Sequence, residues 1–187
     1  MKLLMFAASL RKDSCNKKLI KIAADIVQAQ SVTAELVDFA EFDMPLYDAN
    51  LQQAKGLPEG TLKFIARLKD SDGLIISSPE YNFSTPGTLK NLIDWVSRDN
   101  PQPWKGKQIL LMSASPSLVG GNRGLWATRV PLETCGAFVY PDMFSLANAY
   151  QAFDETGKLK DNALLERLQA NIKGFLQVVA MYSNSKN

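Results

Sequence analysis

Short apolar runs alternate with longer amphipathic runs along almost the whole chain. The runs Leu3–Ala8 and Gly73–Ser78 are largely apolar, as expected for strands that are covered on both faces of a parallel sheet. Asn16–Gln28 instead places apolar residues at the spacing of a helix, and Val32–Phe39 alternates as a half-buried strand does. This alternation of strands and helices predicts a parallel sheet with helices packed on both of its faces.

The second half of the chain continues this pattern. Pro86 is placed to begin a helix, because a proline at the first helical position lacks only an amide hydrogen that would have no intrahelical partner. Leu57 begins another helix, whose apolar side is predicted to consist of Leu62, Ile65, Ala66 and Leu68. The other predicted elements are an extended loop at Asp43–Asp48, strands at Gln108–Ser113 and Phe138–Phe144, and helices at Asn122–Cys135 and Ala163–Tyr182.

Five strand–helix units in this length predict a single flavodoxin-like domain over residues 1–187. In this three-layer α/β sandwich, a five-stranded parallel sheet of order 2-1-3-4-5 lies between two layers of helices. A ligand of such a sheet binds beyond the carboxyl ends of the strands. The loops after the first, third and fourth strands are therefore predicted to form the binding site.

Composition narrows the chemistry of that site. The chain has no histidine, which excludes Ser-His-Asp and Cys-His catalysis and every metal site that contains histidine. The 21 Lys and Arg residues against 19 Asp and Glu residues leave a net charge of +2, too even to predict a nucleic-acid or membrane partner. Cys15 and Cys135 lack the spacing of a metal site or a redox pair. We expect a cytoplasmic protein without a bound metal.

The loop after the first strand leads hydroxyl, amide and cationic side chains into a helix N-terminus, which favours a phosphate. Ser9, Ser14 and Asn16 could share hydrogen bonds with phosphate oxygens, and Arg11 could add a charge-assisted contact. Ser14 is equally suited to be an ordinary helix N-cap. Neither the Walker A nor the GxGxxG pattern is present, which argues against ATP and against a Rossmann dinucleotide site.

The other two loops are also suited to a ligand. Prolines at both ends stiffen the loop Pro79–Pro86, where Tyr81 and Phe83 could flank an aromatic ring system or simply cover the end of the sheet. The loop Ser113–Arg123 contains several serines and a pair of glycines. Those glycines either let the backbone approach a ligand closely or merely turn the chain into the next helix.

Together the three loops resemble the NADPH-dependent FMN reductase family, which includes bacterial quinone, azo and chromate reductases. The family motif Gly-Ser-x-Arg-x-x-Ser-x-Asn is matched from Ser9 to Asn16, with Ala8 where glycine is usual. The motif Pro-Glu-Tyr-Asn, followed by Pro-Gly-x-Leu-Lys-Asn-x-Ile-Asp-Trp, is matched throughout from Pro79 to Trp95. The third region is similar through its glycine pair and its arginine, although Ser117 occupies a position where relatives often have glycine.

This resemblance implies an oxidoreductase that binds FMN without a covalent link. The enzyme would take hydride from NADPH or NADH and pass it to a quinone, an azo compound, chromate or free flavin. The residues implied for the FMN phosphate are Ser9, Arg11, Ser14 and Asn16, and Cys15 of the same loop is included among the cofactor-binding residues. Those implied for the ring are Pro79, Glu80, Tyr81, Asn82 and Phe83, with Ser113, Ser115 and Gly120 along its other edge.

The resemblance also implies a homodimer or a homotetramer. No catalytic acid or base is expected, because the cofactor supplies the difficult chemistry, and Tyr81 is a candidate for orienting a quinone oxygen. A flavodoxin-type electron carrier is the main alternative, although such carriers are generally strongly acidic and this chain has a net charge of +2. A scaffold that has lost its flavin is a further alternative, and the phosphate-loop residues argue against it.

Overall fold

The computed structural model describes residues 1–184. Within them the strands are β1 (Lys2–Ala7), β2 (Thr33–Val37), β3 (Gly73–Ser77), β4 (Gln108–Ala114), β5 (Phe138–Val139) and β6 (Phe144–Leu146). All strand pairings are parallel, in the order β2-β1-β3-β4-β5, and β6 also pairs with β4. The predicted strand order is confirmed, and the sixth strand is an addition to it.

Helices connect these strands. They are α1 (Cys15–Ala29), α2 (Ala49–Lys55), α3 (Glu59–Lys69), α4 (Gly87–Val96), α5 (Asn122–Thr134), α6 (Ala149–Ala152) and α7 (Asn162–Asn184). A short 3-10 helix, Phe39–Phe42, follows β2. In the part of the chain that the structure describes, no helix combines the length and the apolar character needed to cross a membrane.

Alternate residues of the central strands face opposite layers of helices. Leu3 and Met5 of β1 pack into a cluster with α1 and α7, whereas Leu4 and Phe6 pack into a second cluster with α3, α4 and α5. All four side chains are fully buried. Because helices cover both faces, nearly every position of such a strand is apolar. The predicted three-layer α/β sandwich is confirmed.

The predicted fifth strand is wrong in its continuity, because Phe138–Phe144 does not form one strand. β5 ends at Val139, and β6 begins only at Phe144. Pro141 lies between them and has no amide hydrogen to donate to a neighbouring strand. Both short strands pair with β4, β5 near its start and β6 at its carboxyl end. The break therefore carries the chain along β4 toward the edge where ligands bind.

The apolar side of α3 also differs from the prediction. Ile65 and Leu68 are buried as predicted, but Leu62 and Ala66 are exposed, and Phe64 takes their place in the core. The buried face also includes the small residues at the start of the helix, where a Cβ on Gly60 would clash with the backbone of Asp43. The first turn of α3 thus packs against the Asp43–Asp48 loop.

Candidate active site

A cavity of about 240 Å³ opens at the carboxyl ends of β1, β3 and β4, where the three loops meet. The predicted residues that line it are Ser9, Arg11, Ser14, Cys15, Asn16, Pro79, Glu80, Tyr81 and Ser115. Four predicted residues do not line it, namely Asn82, Phe83, Ser113 and Gly120. The loops thus bring together most of the residues that the sequence singled out.

Helix α1 begins at this cavity, and its first turn contains no acidic side chain. Ser14 is its N-cap, since the Ser14 hydroxyl accepts a hydrogen bond from the Asn16 amide at 3.2 Å. The ordinary capping role that the sequence left open is therefore present. The same hydroxyl keeps its own hydrogen as a donor. A helix N-terminus with a partial positive charge and unpaired amide hydrogens favours an anion at this place.

The Asn16 side chain joins the ends of three elements. Its Nδ2 donates to the Ala114 carbonyl at 2.9 Å, and its Oδ1 accepts from the Ala114 amide and from the Ser77 hydroxyl, each at 2.9 Å. The side chain is buried. Asn16 thus fastens the start of α1 to the ends of β3 and β4, and one amide hydrogen remains for a ligand.

Tyr81 to Ser84 form a tight two-residue turn. The Tyr81 and Ser84 backbones exchange hydrogen bonds of 3.1 and 3.0 Å, and Asn82 and Phe83 have φ angles of 51° and 63°, as in a type I′ turn. A positive φ is strained for phenylalanine. Phe83 is 67% exposed and Tyr81 is 48% exposed. The rings therefore do not cover the end of the sheet as core residues would.

Glu80 anchors this turn to α5. One carboxylate oxygen accepts from Arg123 Nε and Nη2 at 3.1 and 2.8 Å, and the other accepts from the Gly124 amide at 2.9 Å. Burial acts to raise the pKa of Glu80, but the Arg123 guanidinium and the Gly124 amide outweigh it and hold that pKa below its ordinary value. The Arg123 guanidinium also lies 3.6 Å from the centre of the Phe83 ring.

The glycine pair of the third loop serves close packing within the chain. Gly120 and Gly121 have φ angles of 62° and 82°, a region that favours glycine. A Cβ at Gly121 would clash with the buried Ser113 hydroxyl, and a Cβ at Gly120 would meet the Ala147 backbone. The sequence left open whether these glycines allow close approach to a ligand or turn the chain into the next helix. The structure shows a turn into α5 that packs tightly against neighbouring residues.

Tyr150 lines the cavity although the sequence analysis did not single it out. Its phenol raises the pKa of the nearby Arg11 guanidinium. Tyr150 lies in α6, directly after β6, and the prediction of a single strand at Phe138–Phe144 hid the turn back toward the site. A sequence signal was present in Pro141, which marks the end of β5.

A larger groove of about 870 Å³ lies between α1 and α7. It is lined by aliphatic side chains such as Ile22 and Leu165 and by charged ones such as Asp25 and Lys173. None of the predicted site residues lines it. Since ligands of this type of sheet bind at the carboxyl ends of the strands, the smaller cavity is the candidate site.

The smaller cavity suits a ligand with a phosphate at one end and a flat ring at the other. Its hydroxyl groups, the guanidinium and the α1 N-terminus are donors that a phosphate accepts from. Its volume of about 240 Å³ is below the roughly 300–1,000 Å³ of sites that enclose a whole small molecule. The flat part of the ligand would therefore lie along the exposed Tyr81 turn.

Comparison with known proteins shows which proteins this chain is similar to. A family model described as NADPH-dependent FMN reductase matches residues 1–151. A quinone reductase of Escherichia coli K12 is 34% identical over 169 residues, which are 89% of each chain. An NAD(P)H-dependent FMN reductase of Pseudomonas aeruginosa is 32% identical over 179 residues, 92% of this chain and 91% of the relative.

A solved structure gives the same result for the fold. The flavoenzyme NAD(P)H:(acceptor) oxidoreductase FerB of Paracoccus denitrificans superimposes with a TM-score of 0.82 and is 27% identical. The superposition covers 97% of this chain and 98% of the flavoenzyme. The similarity therefore extends over the whole sandwich and is not confined to one motif.

Proposed function

Because this chain belongs to the NADPH-dependent FMN reductase family, we propose that it is an FMN-dependent oxidoreductase. It takes hydride from NADPH or NADH and passes the electrons, through non-covalently bound FMN, to a quinone or to another small acceptor such as an azo compound, chromate or free flavin. The observation that carries this proposal is the cavity at the strand ends, which places phosphate-binding groups beside an exposed aromatic turn. The family resemblance inferred from the three loops is confirmed.

The first loop fits the phosphate of FMN. Ser9 and Ser14 supply hydroxyl donors, Arg11 supplies a charged donor, and Cys15 begins the helix whose first-turn amides favour an anion. Asn16 supports them through its buried hydrogen bonds to β3 and β4. These groups would bind and orient the phosphate end of the cofactor.

The second and third loops position the ring. FMN held there would supply the site that accepts and donates hydride, so the protein would need no acid or base for the hydride transfer itself. Glu80 is already bonded to Arg123 and to the α5 N-terminus, which leaves it a structural role. Tyr81, with its exposed phenol, is the candidate for orienting a quinone oxygen.

The remaining predicted residues lie at the edge of the cavity or outside it. Asn82 and Phe83 form the tip of the turn beside it, and Ser115 lines its other edge. Ser113 is buried against Gly121, and Gly120 packs against the backbone near Ala147. We therefore assign Ser113 and Gly120 to the shape of the third loop.

The identity of the bound flavin tests this function. Purified protein is expected to be yellow and to release FMN on heat denaturation, which mass spectrometry of the supernatant would identify. Protein that is colourless as purified and does not bind added FMN in an absorbance titration would contradict the proposal. Release of riboflavin in place of FMN would contradict the assignment of the phosphate site, and release of FAD would contradict the assignment of FMN as the cofactor.

Oligomer formation and a cytoplasmic location belong to the same proposal. Trp126 and Val130 are exposed one turn apart on α5, the helix whose N-terminus holds the Glu80 turn, and exposed apolar patches mark protein interfaces. This surface supports a homodimer or homotetramer that brings a second copy close to the ring site. Cys15 and Cys135 are free thiols, which suits the reducing cytoplasm.

A further inference from the structure

The backbone around Tyr150 is fixed against the third loop. The Ala149 amide donates to the Ser115 carbonyl at 3.0 Å, and the Asn148 amide donates to the Ser117 carbonyl at 3.2 Å. Ala149 is fully buried, and Asn148 has a φ of 49°, a left-handed conformation that asparagine tolerates better than most residues. The turn that follows β6 thus delivers Tyr150 to the cavity in a defined position.

The Tyr150 side chain combines with Arg11, which comes from the first loop. Both side chains line the cavity that contains Ser9 and Ser14, and the phenol of Tyr150 is near enough to the Arg11 guanidinium to raise the pKa of that group. A guanidinium has only donors, so toward Arg11 the phenol oxygen can act only as an acceptor. The phenol hydrogen then remains free to donate to a second acceptor. Tyr150 is 65% exposed, so an incoming ligand can reach that hydrogen.

We infer that Tyr150 is a phosphate-binding residue that works as a pair with Arg11 and determines how tightly this protein holds FMN. Arg11 supplies charge and Tyr150 supplies a neutral donor, so that two segments far apart in the sequence contact the same phosphate. The inference rests on the proposed function, because it assumes that the phosphate of FMN occupies this cavity. It adds to the phosphate loop a residue from the β6–α6 turn.

The test is the affinity of Tyr150→Phe for two flavins that differ only in the phosphate. Full-length protein stripped of its flavin is titrated with FMN and with riboflavin, and quenching of flavin fluorescence is recorded in the absence of NADPH. Loss of one hydrogen bond to a charged group is expected to raise the Kd for FMN roughly tenfold. The Kd for riboflavin is expected to stay within about twofold, because riboflavin has no phosphate to contact.

Tyr47→Phe is the matched control, because the Tyr47 hydroxyl donates to Gln52 at 3.0 Å and Tyr47 does not line the cavity. That variant should bind both flavins as the wild type does. An unchanged Kd for FMN in Tyr150→Phe would overturn the inference, and so would equal weakening of FMN and riboflavin. Failure of the wild-type protein to bind FMN would instead contradict the proposed function itself.

Discussion

Asp13 and Arg11 place opposite charges at the same cavity, two positions apart in the first loop. Arg11 attracts a phosphate, whereas the Asp13 carboxylate repels one. A residue pattern that includes both signs does not maximise affinity for an anion. We therefore expect Asp13 to weaken the binding of FMN through its phosphate and to leave the contacts to the ring unchanged.

Replacing Asp13 with Asn should accordingly tighten FMN binding about two- to fivefold at low ionic strength, since one like charge near the phosphate is removed. Fluorescence titration at two salt concentrations measures this, and the gain should shrink at high salt. Asp25→Asn is the control, because Asp25 lies in α1 roughly 15 Å from the first residue of that helix. An equal gain for riboflavin would contradict this explanation.

Glu80 supplies a second prediction at this scale. Its carboxylate is 7% exposed and bonds to Arg123 and Gly124, so Glu80→Gln should lower the free energy of unfolding at neutral pH by about 1–2 kcal/mol. Because the pKa of Glu80 is lowered in the folded protein, this stabilisation is fully present above the ordinary glutamate pKa of about 4.3. It is lost as the pH falls through the lower folded-state value.

Urea unfolding of the wild type and of Glu80→Gln at several pH values checks the direction in which the stabilisation by Glu80 changes with pH. The difference between the two proteins should narrow below about pH 4. Glu133→Gln removes a surface pair with Arg129 on the same helix and should change stability by only about 0.3–0.5 kcal/mol. A Glu80→Gln effect no larger than this control would show that Glu80 does not anchor the turn.

Some secondary-structure elements can be predicted from the sequence more clearly than others. β1 and β3 are buried on both faces, so their apolar runs predict them directly. α2 contains no buried residue, and a helix without a buried face leaves no apolar periodicity to detect. β5 and β6 contain two and three residues, too few for alternation to separate them. The missed division between them also hid Tyr150.

The third loop gives a prediction at the scale of elements. Gly121→Ala should destabilise the protein for two reasons, a left-handed φ and a clash between the new Cβ and Ser113 that would push α5 away from β4. Gly157→Ala separates the cost of the left-handed φ from the cost of the clash. Gly157 has a φ of 84°, but a Cβ there meets nothing within 4 Å. We expect a loss of about 1 kcal/mol for Gly157→Ala and at least about 2 kcal/mol for Gly121→Ala.

Both losses are measured by urea unfolding under one set of conditions. Equal destabilisation of the two variants would mean that the clash between the new Cβ at position 121 and Ser113 does not contribute to the loss of stability. The same sample also reports on the site, because a displaced α5 would loosen the Glu80 turn. Gly121→Ala should therefore weaken the binding of FMN, whereas Gly157→Ala should not.

At the scale of the whole molecule, the sequence predicts the arrangement of the sheet and the edge of the sheet at which the site lies. Strand order and the meeting of three loops at one edge could be predicted, because they depend on hydrophobic pattern and on the topology of parallel sheets. The hydrogen-bond partners of Asn16 and Glu80 could not, since they depend on how distant elements come together. The sequence thus predicts where the site lies, whereas the role of each side chain depends on its tertiary contacts.

Assembly is the prediction that belongs to this scale. If α5 forms the interface, Trp126→Glu should shift the protein toward monomer, because a charge would replace the exposed indole. Light scattering coupled to size exclusion measures the mass. Leu46→Glu changes an apolar and even more exposed position in the loop before α2; it is the control and should leave the mass unchanged. An unaltered mass in Trp126→Glu would place the interface elsewhere.

Anaerobic stopped-flow mixing of the flavin-loaded protein with NADPH tests the central claim most directly. An FMN-dependent reductase should lose its visible flavin absorbance rapidly, and that absorbance should return when a quinone is added. NADH should be tried in parallel, since either nicotinamide satisfies the account. Flavin that stays oxidised with both nicotinamides, yet is reduced by dithionite, would contradict the account and identify the protein as an electron carrier.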